Sequence, residues 1–178
     1  YSSPGEAGPA PLTTTFFAEF TDPDGGPLTY AWDLDDDGQF DDGGTAATQV
    51  ATFTKVGVNR VYVRATDPDG GTWTAFATMQ VLNRNPVVSL AANPASGTAP
   101  LSTTFTATAS DPDATALTFA WDTDGDGSFE TGPSPTPTLA RTFDSAGSFT
   151  VGVQVTDADG GRATATRTVT VAAADTAP

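Results

Sequence analysis

Two stretches of this chain place oxygen-bearing side chains at alternate positions: Asp33, Asp35 and Asp37 followed by Gln39 and Asp41, and Asp122, Asp124 and Asp126 followed by Ser128 and Glu130. A glycine, Gly38 or Gly127, comes directly after the third aspartate of each stretch. Oxygens at this spacing before a chain-bending glycine form the first half of a calcium loop, in which successive side chains converge on one hard cation. The twelfth position, where an EF-hand carries a bidentate glutamate, is Gly44 in one stretch and Pro133 in the other, so neither stretch is an EF-hand. The competing reading is a solvated acidic turn. Recurrence in both stretches favours calcium, because carboxylates this close repel unless something neutralises them. Further carboxylates come from Asp22-Pro23-Asp24-Gly25, Asp67-Pro68-Asp69-Gly70, Asp111-Pro112-Asp113 and Asp157-Ala158-Asp159-Gly160. These could add ligands, but they also read as plain β-turns, since aspartate caps its own turn and proline presets φ at the next position.

The remaining chemistry is limited by what the chain lacks. With no His and no Cys, a Ser-His-Asp or Cys-His arrangement and a His-ligated zinc site are excluded within it. A carboxylate pair could in principle hydrolyse a glycosidic bond, but the aspartates sit in turns, where water keeps them ordinary, and no pattern recommends one pair. The residues therefore argue against catalysis. A formal charge of −15, from 22 acidic and 7 basic residues, disfavours nucleic acid and anionic membrane surfaces as partners, because both are bound through Lys and Arg. The acidity suits solubility or a supply of cation ligands instead. No apolar run reaches the roughly 18 residues of a membrane span, so insertion is not expected. No signal peptide opens the chain, and Tyr1 is expected to begin a fragment or a mature product.

The two acidic stretches are positioned by a repeat. Ala10–Phe16 returns as Ala99–Phe105, and between Ala10 and Asp42 19 of 33 positions are identical at an offset of 89. After one inserted residue the offset becomes 90, matching Phe53 with Phe143, Gly57 with Gly147 and Gly70-Gly71 with Gly160-Gly161. Within each copy the period is two: Leu28, Tyr30 and Trp32 correspond to Leu117, Phe119 and Trp121, and Val61 and Val63 to Val151 and Val153. Such alternation predicts strands with one buried face, and short strands between turns, without an amphipathic helix, predict an all-β sandwich. Trp32 and Trp121 fall on the buried phase and are expected in the core. Trp73 and Phe76 lie on opposite faces of one predicted strand and are replaced by Ala163 and Thr166 in the other copy, so one of them is expected at the surface as a contact point.

The ordered set Pro-Leu-Thr-Thr-Thr-Phe, Asp-Pro-Asp-Gly, Leu-Thr-Tyr-Ala-Trp-Asp, Phe53 to Gly57 and Val-Tyr-Val-Arg-Ala-Thr-Asp, with its second occurrence, resembles the polycystic kidney disease (PKD) domain. That family usually continues Trp-Asp-Phe-Gly-Asp-Gly. Here the continuations are Trp32 to Gly38 and Trp121 to Gly127, with extra acid, so ligand geometry does not carry over from the shorter form.

The resemblance implies two tandem immunoglobulin-like β-sandwich domains, residues 1–84 and 85–178, joined near Asn83-Arg84-Asn85-Pro86. It also implies a non-catalytic, extracellular (secreted or cell-surface) array that contacts protein or polysaccharide, or spaces other modules of the same protein. Two alternatives are an accessory substrate-binding module of a secreted hydrolase and a segment of a surface filament or sheath. By alignment Tyr1 matches Leu90, so the first copy is expected to begin inside its first strand, which a preceding module or a neighbouring chain could complete. Asp175-Thr176-Ala177-Pro178 resembles the start of another linker, and the parent is expected to be a longer array.

Overall fold

A computed structural model describes residues 6–174. The chain divides into two compact units, residues 1–83 and 84–178. The expectation about the start of the first strand falls on residues 1–5, outside the described residues.

The first unit contains β1 (Glu6–Pro9), β2 (Leu12–Phe17), β3 (Thr29–Asp33), β4 (Thr48–Phe53), β5 (Gly57–Thr66) and β6 (Thr72–Leu82). One sheet has the order β1-β6-β5-β3, with β1 parallel to β6, and a second pairs β2 with β4. The second unit contains β7 (Val87–Asn93), β8 (Ser96–Thr98), β9 (Leu101–Ser110), β10 (Thr118–Asp122), β11 (Thr138–Phe143), β12 (Gly147–Thr156) and β13 (Arg162–Ala172). Its sheets run β8-β13-β12-β10 and β7-β9-β11, so the first sheet keeps the same strand order in both units.

The alternation read from the sequence is the inside–outside alternation of the sheets. Val61, Val63, Met79 and Val81 are buried with Trp32 and Phe53 in the first core, and Val151, Val153, Val169 and Val171 with Trp121, Phe105 and Phe143 in the second. Because successive side chains on a strand point to opposite faces, these residues line one side of each sheet. Rings fill the gap between the sheets. Phe16 lies 6.4 Å from Trp32 and 6.1 Å, edge-on, from Phe53, an arrangement that suits the negative faces and positive edges of aromatic rings. The Trp32 indole nitrogen donates to the Ala46 carbonyl at 3.0 Å, which satisfies its one polar atom while the ring is buried.

The aspartate turns are tied by their own backbone. Asp22 accepts from the amides of Asp24 and Gly26, Asp67 from Gly71, Asp111 from Asp113, and Asp157 from Asp159 and Gly161. Arg84, at the start of the second unit, is held by the turn that follows β9. Its amide and its Nε each donate to a different Asp113 oxygen at 2.6 Å, and its guanidinium also reaches the Pro112 carbonyl at 2.7 Å.

Candidate metal centre

Each acidic stretch folds around one buried carboxylate. Asp33 ends β3 with 1% of its surface exposed, and Asp122 ends β10 with 5%. Their oxygens do not face solvent. Asp33 accepts from the amides of Asp36 and Gly38 at 2.8 and 3.0 Å, and Asp122 from Gly125 and Gly127 at 2.7 and 3.0 Å. A buried carboxylate is tolerated because both oxygens meet N–H groups, and those two bonds curl the loop back over the end of the sheet.

The exposed aspartates continue the pattern. Asp35 accepts from the Asp37 amide and Asp124 from the Asp126 amide, both at 3.2 Å; Asp37 accepts from Gln39 at 2.8 Å and Asp126 from Ser128 at 2.7 Å. One carboxylate oxygen from each of Asp33, Asp35 and Asp37 lies within 4.8 Å of the others, and Asp122, Asp124, Asp126 and Glu130 form a second such group. Each carboxylate has about four lone-pair sites, so the amide bonds leave capacity for a cation. Two unit charges at that separation repel by about 1 kcal/mol even in water. Desolvation by the folded loop, then the charges of Asp37, Asp42 and Asp33, raise the Asp35 carboxyl above its ordinary value, against the lowering effect of the Asp37 amide.

The converging residues differ between the copies at one point. Glu130 reaches back to the amide and hydroxyl of Thr123 at 2.6 and 3.0 Å. In the first copy the equivalent acceptor is Asp42, which takes the amides of Leu34 and Asp35 at 2.8 and 3.2 Å. Asp41, the residue that aligns with Glu130, is not in the converging group. Gln39 places its side-chain nitrogen 3.4 Å from Asp37. The signal for Asp42 was the second carboxylate of the Asp41-Asp42 pair; the shorter side chain needs to start one residue later to reach the same amides.

Where the sequence leads to one of Trp73 and Phe76 at the surface, both are exposed, Trp73 by 37% and Phe76 by 58%. Trp73 is in the inward phase of β6 but at its end, opposite Ala65, where the sheet runs out of cover. Phe76 is on the outer face against Tyr62, ring centroids 5.7 Å apart.

Comparison with known proteins places this architecture. Models of the PKD domain match residues 1–79 and 83–172. No curated protein sequence matches. Among solved structures, the PKD1 domain of Epp from Vibrio anguillarum is similar at 27% identity over 52% of this chain and 99% of its own, with a TM-score of 0.41. A structure described as a carbohydrate-binding module of the β-sandwich superfamily is similar at 30% identity and a TM-score of 0.43, over 52% of this chain but only 36% of its own length. The amphioxus IgVJ-C2 molecule aligns over 92% of this chain and 99% of its own at a TM-score of 0.54 and 13% identity, a likeness of fold alone. Domains of this family are in general non-catalytic and typically extracellular. With both halves matched in sequence and both folded as immunoglobulin-like sandwiches, the chain belongs to the PKD domain family and comprises two such domains in tandem.

Proposed function

We propose that the chain is a calcium-stabilised pair of extracellular modules, a non-catalytic array that spaces other domains and carries protein or polysaccharide contacts. The observation that supports calcium is the convergence of carboxylate oxygens within 4.8 Å at the same place in both copies. In each copy the group sits at the end of the outermost strand of the four-stranded sheet, anchored by a buried aspartate. A cation there would draw together Asp35 and Asp37, or Asp124, Asp126 and Glu130, and fix a loop that otherwise carries uncompensated charge.

Thermal unfolding in EGTA and then in ~10 mM calcium tests this. Extracellular sites with Kd of about 10⁻⁴ to 10⁻³ M give roughly 1.4–2.7 kcal/mol of stabilisation at that concentration, a Tm rise of roughly 6–20 °C for domains of this size. Asp35→Asn with Asp37→Asn should remove the first module's share and Asp124→Asn with Asp126→Asn the second's. An equal rise with magnesium or sodium, or none, would leave the loops as solvated turns and refute the reading.

A further inference from the structure

The outer face of the β5–β6 sheet in the first unit has a composition that the fold does not require. Val58, Arg60, Tyr62 and Arg64 alternate outward on β5, and Phe76 and Leu82 on β6. Val58, Phe76 and Leu82 are all exposed, and the Tyr62 and Phe76 rings pack together. The second unit provides an internal control, because its corresponding sheet has the same strand order and the same buried valines. At the six matching outward positions it has Ser148, Thr150, Gly152, Gln154, Thr166 and Ala172. One copy therefore lines this face with small and polar residues, while the other carries aromatic, aliphatic and arginine side chains there. Tyr, Phe and Arg are the types enriched at the centres of protein–protein contacts.

Among the described residues the arginines on this face have no ion-pair partner. Residues 1–83 contain 12 acidic side chains and only three cations, Lys55, Arg60 and Arg64. The Arg64 guanidinium lies 4.4 Å from the Phe40 ring centroid. Arg60 borders the same open cleft as Asp35 and Asp36, and β5 runs at its other end into the Asp67-Pro68-Asp69 turn. A row of arginines is thus bounded by carboxylates at both ends of one strand.

We propose that this face is a homophilic contact through which two copies of the chain pair about a two-fold axis. An isologous contact brings each patch against itself, and an offset along the strands sets the arginines of one copy against the acidic end of the other. A polyanionic polysaccharide fits less well, because the acidic ends oppose it and the Tyr62 and Phe76 rings, tilted by 40°, offer no flat platform. With strands about 4.8 Å apart and a rise of about 3.3 Å per residue, the β6-β5-β3 face covers roughly 400 Å² per copy. Two such faces bury about 800 Å², below the range of stable specific interfaces and in that of transient ones, so the dimer is weak and concentration-dependent.

Sedimentation equilibrium of the full chain tests the contact, in EGTA throughout so that the result is independent of calcium binding. At ~0.15 M salt, where the Debye length is about 8 Å, the chains' net charge is largely screened while contacting pairs are not. From about 10 μM to about 1 mM the weight-average mass should rise from 18.1 kDa toward twice that value. Phe76→Thr and Arg64→Gln, the residues that the second unit uses at those positions, should each abolish the rise while each variant keeps a cooperative thermal transition. Val87→Ser, at an exposed apolar site outside the face, should leave it intact. A monomer across the whole series, or association that survives both substitutions, would overturn the proposal.

Discussion

Ala114 holds the left-handed backbone conformation that Gly25 holds at the matching position of the first repeat, with φ of 59° and 80°. Both close the same turn: the Gly25 amide donates to the Asp22 carbonyl and the Ala114 amide to the Asp111 carbonyl, each at 3.1 Å. An L side chain in this region costs about 1–2 kcal/mol through the clash of Cβ with the following carbonyl. Ala114→Gly should therefore stabilise the second unit by about 1 kcal/mol, after the extra chain entropy of glycine is deducted. A Cβ at Gly25 would meet nothing within 4 Å, so Gly25→Ala should cost the first unit a similar amount through backbone strain alone. Urea unfolding of the two variants measures both, and equal stability to the parent in each would refute the strain.

A second pair repeats the relationship inside the acidic loops. Asp36 has φ of 64° where the second copy has Gly125 at 80°. Asp36→Gly should stabilise the first unit by about 0.5–1 kcal/mol, because aspartate tolerates this region better than alanine does. The reverse change should be worse, since a Cβ at Gly125 would come within 2.9 Å of the Thr150 carbonyl oxygen. Gly125→Asp should cost about 1–3 kcal/mol. A smaller loss for Gly125→Asp than gain for Asp36→Gly in chemical unfolding would contradict the close approach.

Asp35 separates the cost of the loop from its use. Its carboxyl is raised by desolvation within the loop and by the charges of Asp37, Asp42 and Asp33. A raised carboxylate destabilises the fold above its unfolded pKa of about 3.9, and the cost fades as pH falls through the folded value. In EGTA at pH 7, Asp35→Asn should therefore raise the Tm, while the amide oxygen still accepts from Asp37. In calcium the same change should lower the Tm relative to the parent. A lower Tm in EGTA would show that the carboxylate does more for the loop than hydrogen bonding.

The Arg84–Asp113 pair should give the opposite pH dependence. Burial would raise Asp113, but the amide, the side-chain bond and the charge of Arg84 together hold it below the ordinary aspartate value. A lowered carboxylate contributes stability that is present above an unfolded pKa of about 3.9 and lost as pH falls through the folded value. The Asp113 side chain is 1% exposed, so Arg84→Ala leaves it poorly compensated and should cost about 1–3 kcal/mol at pH 7. Unfolding of parent and variant at pH 7 and again below pH 3 should show that difference shrinking, and a pH-independent difference would mean that Arg84 acts through packing.

Much of the architecture was legible because it follows from local rules. Alternation with a period of two decides which face of a strand is buried, so Trp32, Val61 and Val63 and their counterparts could be assigned to the core from spacing alone. The Asp-Pro-Asp turns were legible for the same reason, since aspartate, proline and glycine each act on the backbone within a few residues. The 89-residue and then 90-residue offset made every such assignment twice.

What the tertiary structure alone decided depends on reach across space. Asp41 aligns with Glu130, but Asp42 takes its place, because whether an oxygen arrives depends on side-chain length and on the path of the loop, not on alignment. Nothing in the sequence sets Asp33 and Asp122 apart from the other acids of the candidate calcium loops; they are buried acceptors because their strands end beneath loops whose amides turn inward. Arg84 meets Asp113 across 29 residues of chain, a separation that carries no periodic signal. The outer β5–β6 face emerged in the same way: Tyr62 and Phe76 stand 14 positions apart in sequence and come together only when the hairpin register sets them opposite each other. Sequence settled which face of each strand turns inward, since alternation is a property of each strand by itself. Pairing between strands and loops settled which of the outward ones meet.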